Sequence, residues 1–437
     1  MLMQLRVRRA LPASVLSSAF SPAVGHSAAR ERMRQRLTPP ALCGCIAALI
    51  AMLAMGCGAD EETVPTPDAG TDTSADAATD VVEDATDGSS QGDTGSDVVE
   101  APEWISWDVA EAGPYTIGHR VFEHTYVAYE GDEPRTIRVH VWYPSTDTSG
   151  LQSDYLAGAF LDEFAWENAA LAPPVVDGRY PVHVYSHGHR GFAGTSSFLM
   201  RHFASHGWVA VAPDHTNNLL TLNQEPRPRD LYWHRHSDVS ESLNVLENLP
   251  TDDPLAGLVD TSRVIMSGHS YGVHSVWGSI GATYNMDGVR QMCSENEGCS
   301  DSLMAAFEAG ARDERIVAAM PLAGAINREL FGPDGHASVT IPVLAMSGTD
   351  DQVGADLQFA ETEGVSMLWI DLTGGCHQTF ALGYCDTLDP ALGFTIVNAW
   401  ALAFARLHVL NDTSAPVVGL LDNSISPWSE VAFQQHD

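Results

Sequence analysis

VIMSGHSYGVH, residues 264–274, carries an apolar, strand-like run directly into a serine boxed between two glycines. A strand usually closes in a polar turn, but the residues after Ser270 read as the opening of a helix. A strand that enters a helix with almost no loop forces its central residue into a strained φ/ψ region and tolerates no bulky flanking side chain. Gly268 and Gly272 meet that demand, and the hydroxyl of Ser270 is left exposed at the tip. The first turn of the following helix aims unpaired N–H groups at the same point, where negative charge is stabilised.

Around this turn, short apolar runs alternate with helical ones. Residues 135–144 alternate Ile137, Val139 and Val141 with more polar neighbours and predict a half-buried strand near a sheet edge. Residues 182–188, 208–215, 263–268, 315–324, 341–348 and 365–374 are further apolar runs, each ending in small or polar residues. Helical spacing is seen over 196–207, 238–249, 270–284 and 390–408. Runs buried on both faces and separated by helices require a mainly parallel central sheet covered by helices on both faces, an α/β architecture. In such sheets reactive groups collect beyond the C-terminal strand ends.

A serine hydroxyl needs a base to become nucleophilic, and the base needs an orienting acid. After this kind of turn the expected chain order is Ser, Asp, His. Asp351, directly after the run IPVLAMSGT, is the preferred acid; its neighbour Asp350 is the alternative, or caps the following turn. His377, in DLTGGCHQTF just past the last strand run, is the base candidate, with Gly374 and Gly375 giving its loop freedom to fold back. The oxyanion needs two N–H donors: the Tyr271 amide, after the nucleophile, and the His189 amide in the turn SHGHRG, residues 186–191. Phe192, Trp369 and Phe380 are candidates for a substrate pocket or for core packing. His187, His189, His215 and His234 match no compact ligand spacing, so neither a metal nor any other cofactor is expected.

Outside the catalytic region the chain changes character. Residues 1–36 hold seven Arg and one Glu, and ALCGCIAALIAMLAMG, residues 41–56, follows as a short apolar run ending before Cys57. Residues 1–56 therefore read as an export signal region, with Met33 as an alternative start. Residues 57–103 form an acidic linker: from 58 to 103 there are fourteen Asp or Glu and no basic residue, too polar to offset the entropy of ordering. Residues 104–437 are the folded domain, with 283–314 as a possible insertion or lid. That domain carries 42 acidic residues against 15 Arg, and the chain has no Lys, which disfavours nucleic acid and polyanionic partners but not neutral or lipid-like esters. With the signal removed and Cys57 aside, four cysteines remain. The close spacings favour Cys293–Cys299 and Cys376–Cys385 bridges in an oxidising compartment, with buried free thiols as the other reading.

Taken in order, RVHVWYPS (138–145), YPVHVYSHGHRG (180–191), FASHGWVAVAPDHTNN (203–218), DTSRVIMSGHSYG (260–272) and IPVLAMSGTDD (341–351) resemble the platelet-activating-factor acetylhydrolase and dienelactone-hydrolase-like branch of the α/β-hydrolase superfamily, which is similar to bacterial lipases, cutinases and polyester hydrolases. The resemblance implies Ser270 as nucleophile, Asp351 as acid, His377 as base and the His189 and Tyr271 amides as oxyanion donors. Ala54-Met55-Gly56-Cys57 resembles a bacterial lipoprotein signal, which implies lipidation of Cys57 and an outer-membrane anchor; ordinary secretion is the alternative. The expected function is serine-dependent hydrolysis of carboxylic esters. An inactive surface binding protein on the same scaffold, a peptidase and a C–C hydrolase stay open beside it.

Overall fold

The computed structural model describes residues 102–294, 298–382 and 384–436. The export region, Cys57 and the linker up to residue 101 lie outside the described residues. Among the described residues eleven strands form one sheet: β1 (Thr116–Tyr126), β2 (Arg135–Ser145), β3 (Gln152–Asp154), β4 (Leu161–Glu167), β5 (Tyr180–Ser186), β6 (Val209–Asp214), β7 (Val259–His269), β8 (Ile316–Leu322), β9 (Val343–Gly348), β10 (Met367–Leu372) and β11 (Val431–His436). Their spatial order is β11-β10-β9-β8-β7-β5-β6-β2-β1-β4-β3. Strands β5 to β10 pair parallel to one another, while β2 against β6 and β11 against β10 are antiparallel.

The period of two along the strands builds the core. In β7, Val264 and Met266 point into one apolar cluster and Ile265 into the other, on the opposite face of the sheet. Helices α1 (Ser197–Ser205), α2 (Leu231–Glu247), α3 (Gly272–Ser279), α4 (Met286–Ser294), α5 (Asp301–Ala309), α6 (Arg328–Phe331), α7 (Ala355–Glu361), α8 (Pro390–Leu410) and α9 (Ala415–Leu421) cover it. Phe203 of α1 and Trp400 of α8 fill one cluster; Val239 and Leu243 of α2 and Trp277 of α3 fill the other. Helix α8 is apolar enough to cross a membrane by length and composition, yet Ile396, Trp400 and Phe404 bury it in the fold. Its ends are set locally. The Asp389 carboxylate accepts from the Leu392 amide, Pro390 opens the first turn, and Asn411 closes the helix at φ 56°.

Three expectations from sequence need correction. Strand β2 is interior, between β1 and β6, because the N-terminal strands β1, β3 and β4 extend the sheet beyond it. Helix α2 begins at Leu231 instead of residue 238, since buried hydrogen bonds satisfy its polar first turns. Helix α3 stops at Ser279, with Gly281 at φ 101° just after it. In the segment 283–314, α4 and α5 bury Val289, Met292, Leu303 and Phe307 in the core, and Cys293 is bonded to Cys299.

Candidate active site

Strand β7 delivers Ser270 to a turn with φ 56°, a left-handed conformation that costs a residue with a side chain. Backbone packs on backbone around it. A Cβ on Gly272 would lie 2.0 Å from the Ser186 carbonyl oxygen, and one on Gly268 would lie 2.5 Å from the Gly272 oxygen. The Ser270 amide donates to the Leu322 carbonyl at 2.9 Å and its carbonyl accepts from the Val273 amide at 2.9 Å, so both flanks of the serine are held by main chain.

The loops that carry Asp351 and His377 interlock beside this turn. The Asp350 amide donates to the Gly375 carbonyl at 2.8 Å and the Thr349 amide to Leu372 at 3.0 Å. Gly348 and Gly375 approach so closely that a Cβ on the first would lie 2.3 Å from the backbone of the second. His377 Nδ1 lies 2.9 Å from Asp351 Oδ2, a carboxylate only 5% exposed. The carboxylate only accepts, so Nδ1 carries the proton and Nε2 is left with its lone pair. Asp350 is exposed and makes no bond to His377; it accepts from the Thr349 hydroxyl at 3.4 Å. The turn His377–Phe380 is fixed at both ends, by the Cys376–Cys385 bond and by the Ser196 hydroxyl donating to the Phe380 carbonyl at 2.8 Å.

His269, the residue before Ser270, joins the two halves. Its Nε2 donates to the His377 carbonyl at 2.9 Å, and the two rings lie 4.7 Å apart. Burial pushes its pKa down to about 3, so the ring stays neutral and its single N–H serves that carbonyl.

Across the serine stands the turn 188–191, closed by the Gly191 amide donating to Gly188 at 3.0 Å. A Cβ on Gly188 would lie 3.3 Å from Ser270 Cβ, so only glycine lets this backbone approach the serine without pushing it. Among the described residues, the amides of His189 and Tyr271 donate to no other group of the chain. Beneath this turn runs a buried polar network. Arg235 donates to the His187 carbonyl and to the Ser186 and Ser275 hydroxyls, while His215 bonds both Ser186 and Asp238. Asn218 links Arg235 to His189 Nδ1, at 2.8 and 2.7 Å.

The pocket candidates behave differently. Phe192, Trp369 and Phe380 are core residues, 2%, 7% and 0% exposed. Phe192 packs on Phe160 and Trp369 on Phe359, because each stands on the inward face of its element. A cavity of about 680 Å³, lined by Trp104, Pro181, Asp260, Arg263 and Asp412, opens at the N-terminal strand ends and shares no residue with the site. Of the four histidines considered for a metal, His187 bonds Gly188, His189 bonds Asn218 and His215 bonds Asp238, while His234 stands with Asp132 and Asp230, whose ligand atoms all lie within 4.8 Å of one another. Sequence reading missed His269, Asn218 and Arg235. No local pattern marked Arg235, which stands among His234, His236 and Asp238 and reads as part of a polar stretch.

The model of the chlorophyllase family matches residues 167–281, from the end of β4 through the serine turn to just past α3. Among solved structures, a ferulic acid esterase from Streptomyces cinnamoneus superposes with a TM-score of 0.52 at 20% identity, covering 76% of this chain and 98% of that one. No curated protein sequence matches. With its mostly parallel sheet, its helices on both faces and its likeness to an esterase structure, the chain has the α/β-hydrolase fold.

Proposed function

We propose that the chain is a serine-dependent carboxylic ester hydrolase. The observation that carries this reading is the His377–Asp351 pair at 2.9 Å, tied at the His377 carbonyl to His269, the residue before a serine at φ 56°. His377 Nε2 takes the proton from Ser270 Oγ as the oxygen attacks the ester carbonyl carbon. The amides of Tyr271 and His189 receive the tetrahedral oxyanion. As the C–O bond breaks, the imidazolium protonates the leaving alcohol. Water then gives a proton to the same nitrogen as its oxygen bonds to the acyl carbon; the acyl carbon–Oγ bond breaks and the imidazolium returns the proton to Oγ, releasing the acid and free serine. Asp351 stays ionised throughout and keeps the imidazole in the productive tautomer.

The substrate in this reading is a neutral or lipid-like ester, as in the acetylhydrolase and dienelactone-hydrolase-like branch. Leu220 and Leu222 are exposed on the loop that follows β6, Leu357 on helix α7 after Asp351, and Tyr384 within the Cys376–Cys385 loop. The Leu220 amide is tied to the Gly191 carbonyl at 3.1 Å, which sets this exposed leucine next to the turn 188–191. A domain with 42 acidic residues against 15 Arg repels polyanions, which supports the same substrate class. The export signal and Cys57 fit a lipid-anchored envelope protein whose linker spaces the domain from the membrane.

A fluorophosphonate probe tests the reading, with p-nitrophenyl esters of increasing acyl length as substrates. The wild-type chain is expected to label and to turn over, and Ser270→Ala to lose labelling and about 10^6-fold in kcat. Full activity in Ser270→Ala would refute the assignment. A wild-type chain that neither labels nor hydrolyses would favour a binding protein on this scaffold.

A further inference from the structure

Arg235 is fully buried, and among the described residues none of the groups it donates to is an anion. Its Nη2 serves the His187 carbonyl and the Ser186 hydroxyl, Nη1 the Asn218 side-chain oxygen at 2.8 Å, and Nε the Ser275 hydroxyl at 3.3 Å. Its guanidinium carbon also lies over the Tyr271 ring, 4.7 Å from the centroid. The carboxylate one turn along α2, Asp238, is committed elsewhere: it accepts two bonds from Arg135 and one from His215. A buried guanidinium without a carboxylate is costly, and such a charge stabilises any anion formed near it far more than a solvated one would.

The partners of Arg235 define where that charge acts. His187 and Asn218 hold the residue that supplies one proposed oxyanion donor, His189, from its backbone side and its ring side. Tyr271 supplies the other. We propose that Arg235 is the positioning residue of the oxyanion turn: it holds the His189 and Tyr271 sides in register and places a fixed, dehydrated positive charge behind them. The inference rests on the ester-hydrolase reading above. A group of this kind acts on the anionic transition state and hardly on the neutral ester, so its loss is read in kcat and not in KM.

Arg235→Met is expected to lower kcat for a p-nitrophenyl ester 10- to 100-fold, to leave KM within twofold, and to slow fluorophosphonate labelling of Ser270 by the same factor, because that reaction also passes through an anion. Asn218→Asp and Asn218→Leu cover the case in which Arg235→Met does not fold. The aspartate sets a carboxylate against Nη1 and neutralises the cation while adding an ion pair to the fold. Both variants lose the amide N–H contacts to His189 and Asn223; the leucine also gives up the Arg235 contact and adds no charge. Asn218→Asp is expected to lose at least tenfold more kcat than Asn218→Leu at equal or higher Tm. Equal kcat in the two Asn218 variants, or wild-type labelling in folded Arg235→Met, overturns the inference while the hydrolase reading stands. Absence of labelling in the wild-type chain removes both.

Discussion

At the scale of single residues, the site is an arrangement of side chains that must be absent as much as of those present. Gly272 stands where any Cβ would meet the Ser186 oxygen at 2.0 Å, so Gly272→Ala must pull the β5 end away from the serine turn. That variant is expected to lose stability by about 1–3 kcal/mol, in the range for forcing extra volume into a packed site, and to lose activity with it; a denaturation midpoint equal to wild type would contradict the packing described. Asp351 and Asp350 differ by one position and by everything that matters chemically: one is nearly buried against His377 Nδ1, the other is exposed. Asp351→Asn offers Nδ1 a donor instead of an acceptor in half of its orientations and disturbs the tautomer, so kcat is expected to fall on the order of 10^4-fold. Asp350→Asn is expected to change kcat less than threefold, and a larger loss there than at position 351 would reassign the acid.

At the scale of elements, two short disulfides sit in very different places. Cys376–Cys385 closes the segment that carries His377, while Cys293–Cys299 staples the tip of α4 in the core layer formed with α5. Each loop closure removes unfolded-state entropy worth on the order of 2–3 kcal/mol. Only the first also sets the position of His377. The double variant Cys376→Ser/Cys385→Ser is therefore expected to lose kcat by tenfold or more as well as stability. Cys293→Ser/Cys299→Ser is expected to lose stability while the folded fraction keeps kcat within a factor of two. Kinetics normalised to active sites titrated with the fluorophosphonate separate the two outcomes.

At the scale of the whole molecule, the distinctive feature is a set of buried neutral histidines. Burial pushes the imidazoles of His183, His202, His215, His269 and His274 down to about 3 and that of His206 to about 4. In the unfolded chain each binds a proton near pH 6.5. Between pH 6.5 and those lowered values the unfolded state holds more protons, so the stability these groups contribute is intact above about pH 6.5 and is lost as pH falls toward 4. Each contributes up to about 1.4 kcal/mol per pH unit in that window. Denaturant midpoints measured at pH 7.5, 6 and 5 are expected to fall below pH 6, even though acidification relieves the self-repulsion of a chain with net charge −35. A midpoint that rises toward pH 5 would show that charge repulsion, not histidine burial, governs the acid limb.

The parallel strands β5 to β10 were legible in the sequence because each is buried on both faces and reads as an apolar run. The serine turn was legible because its glycines answer a local steric demand. The outer strands were not: the outer half of β1 alternates intermediate and exposed positions, and β11, VAFQQH, lies half-exposed at the sheet edge, so neither carries a hydrophobic signal. The start of α2 was hidden because its buried face is made of His234, Arg235, His236 and Asp238, which sequence patterning counts as polar. By itself the sequence determined the layered architecture, the serine, and the short list of acids and bases that chain order allows, since those follow from periodicity and local backbone sterics. Only the tertiary structure decided which aspartate meets His377, that His269 ties the base loop to the serine turn, and that an unpaired guanidinium lies beneath the turn at 188–191. Those choices depend on side chains from distant segments meeting in space, and burial there is purchased by partners that no local pattern reveals.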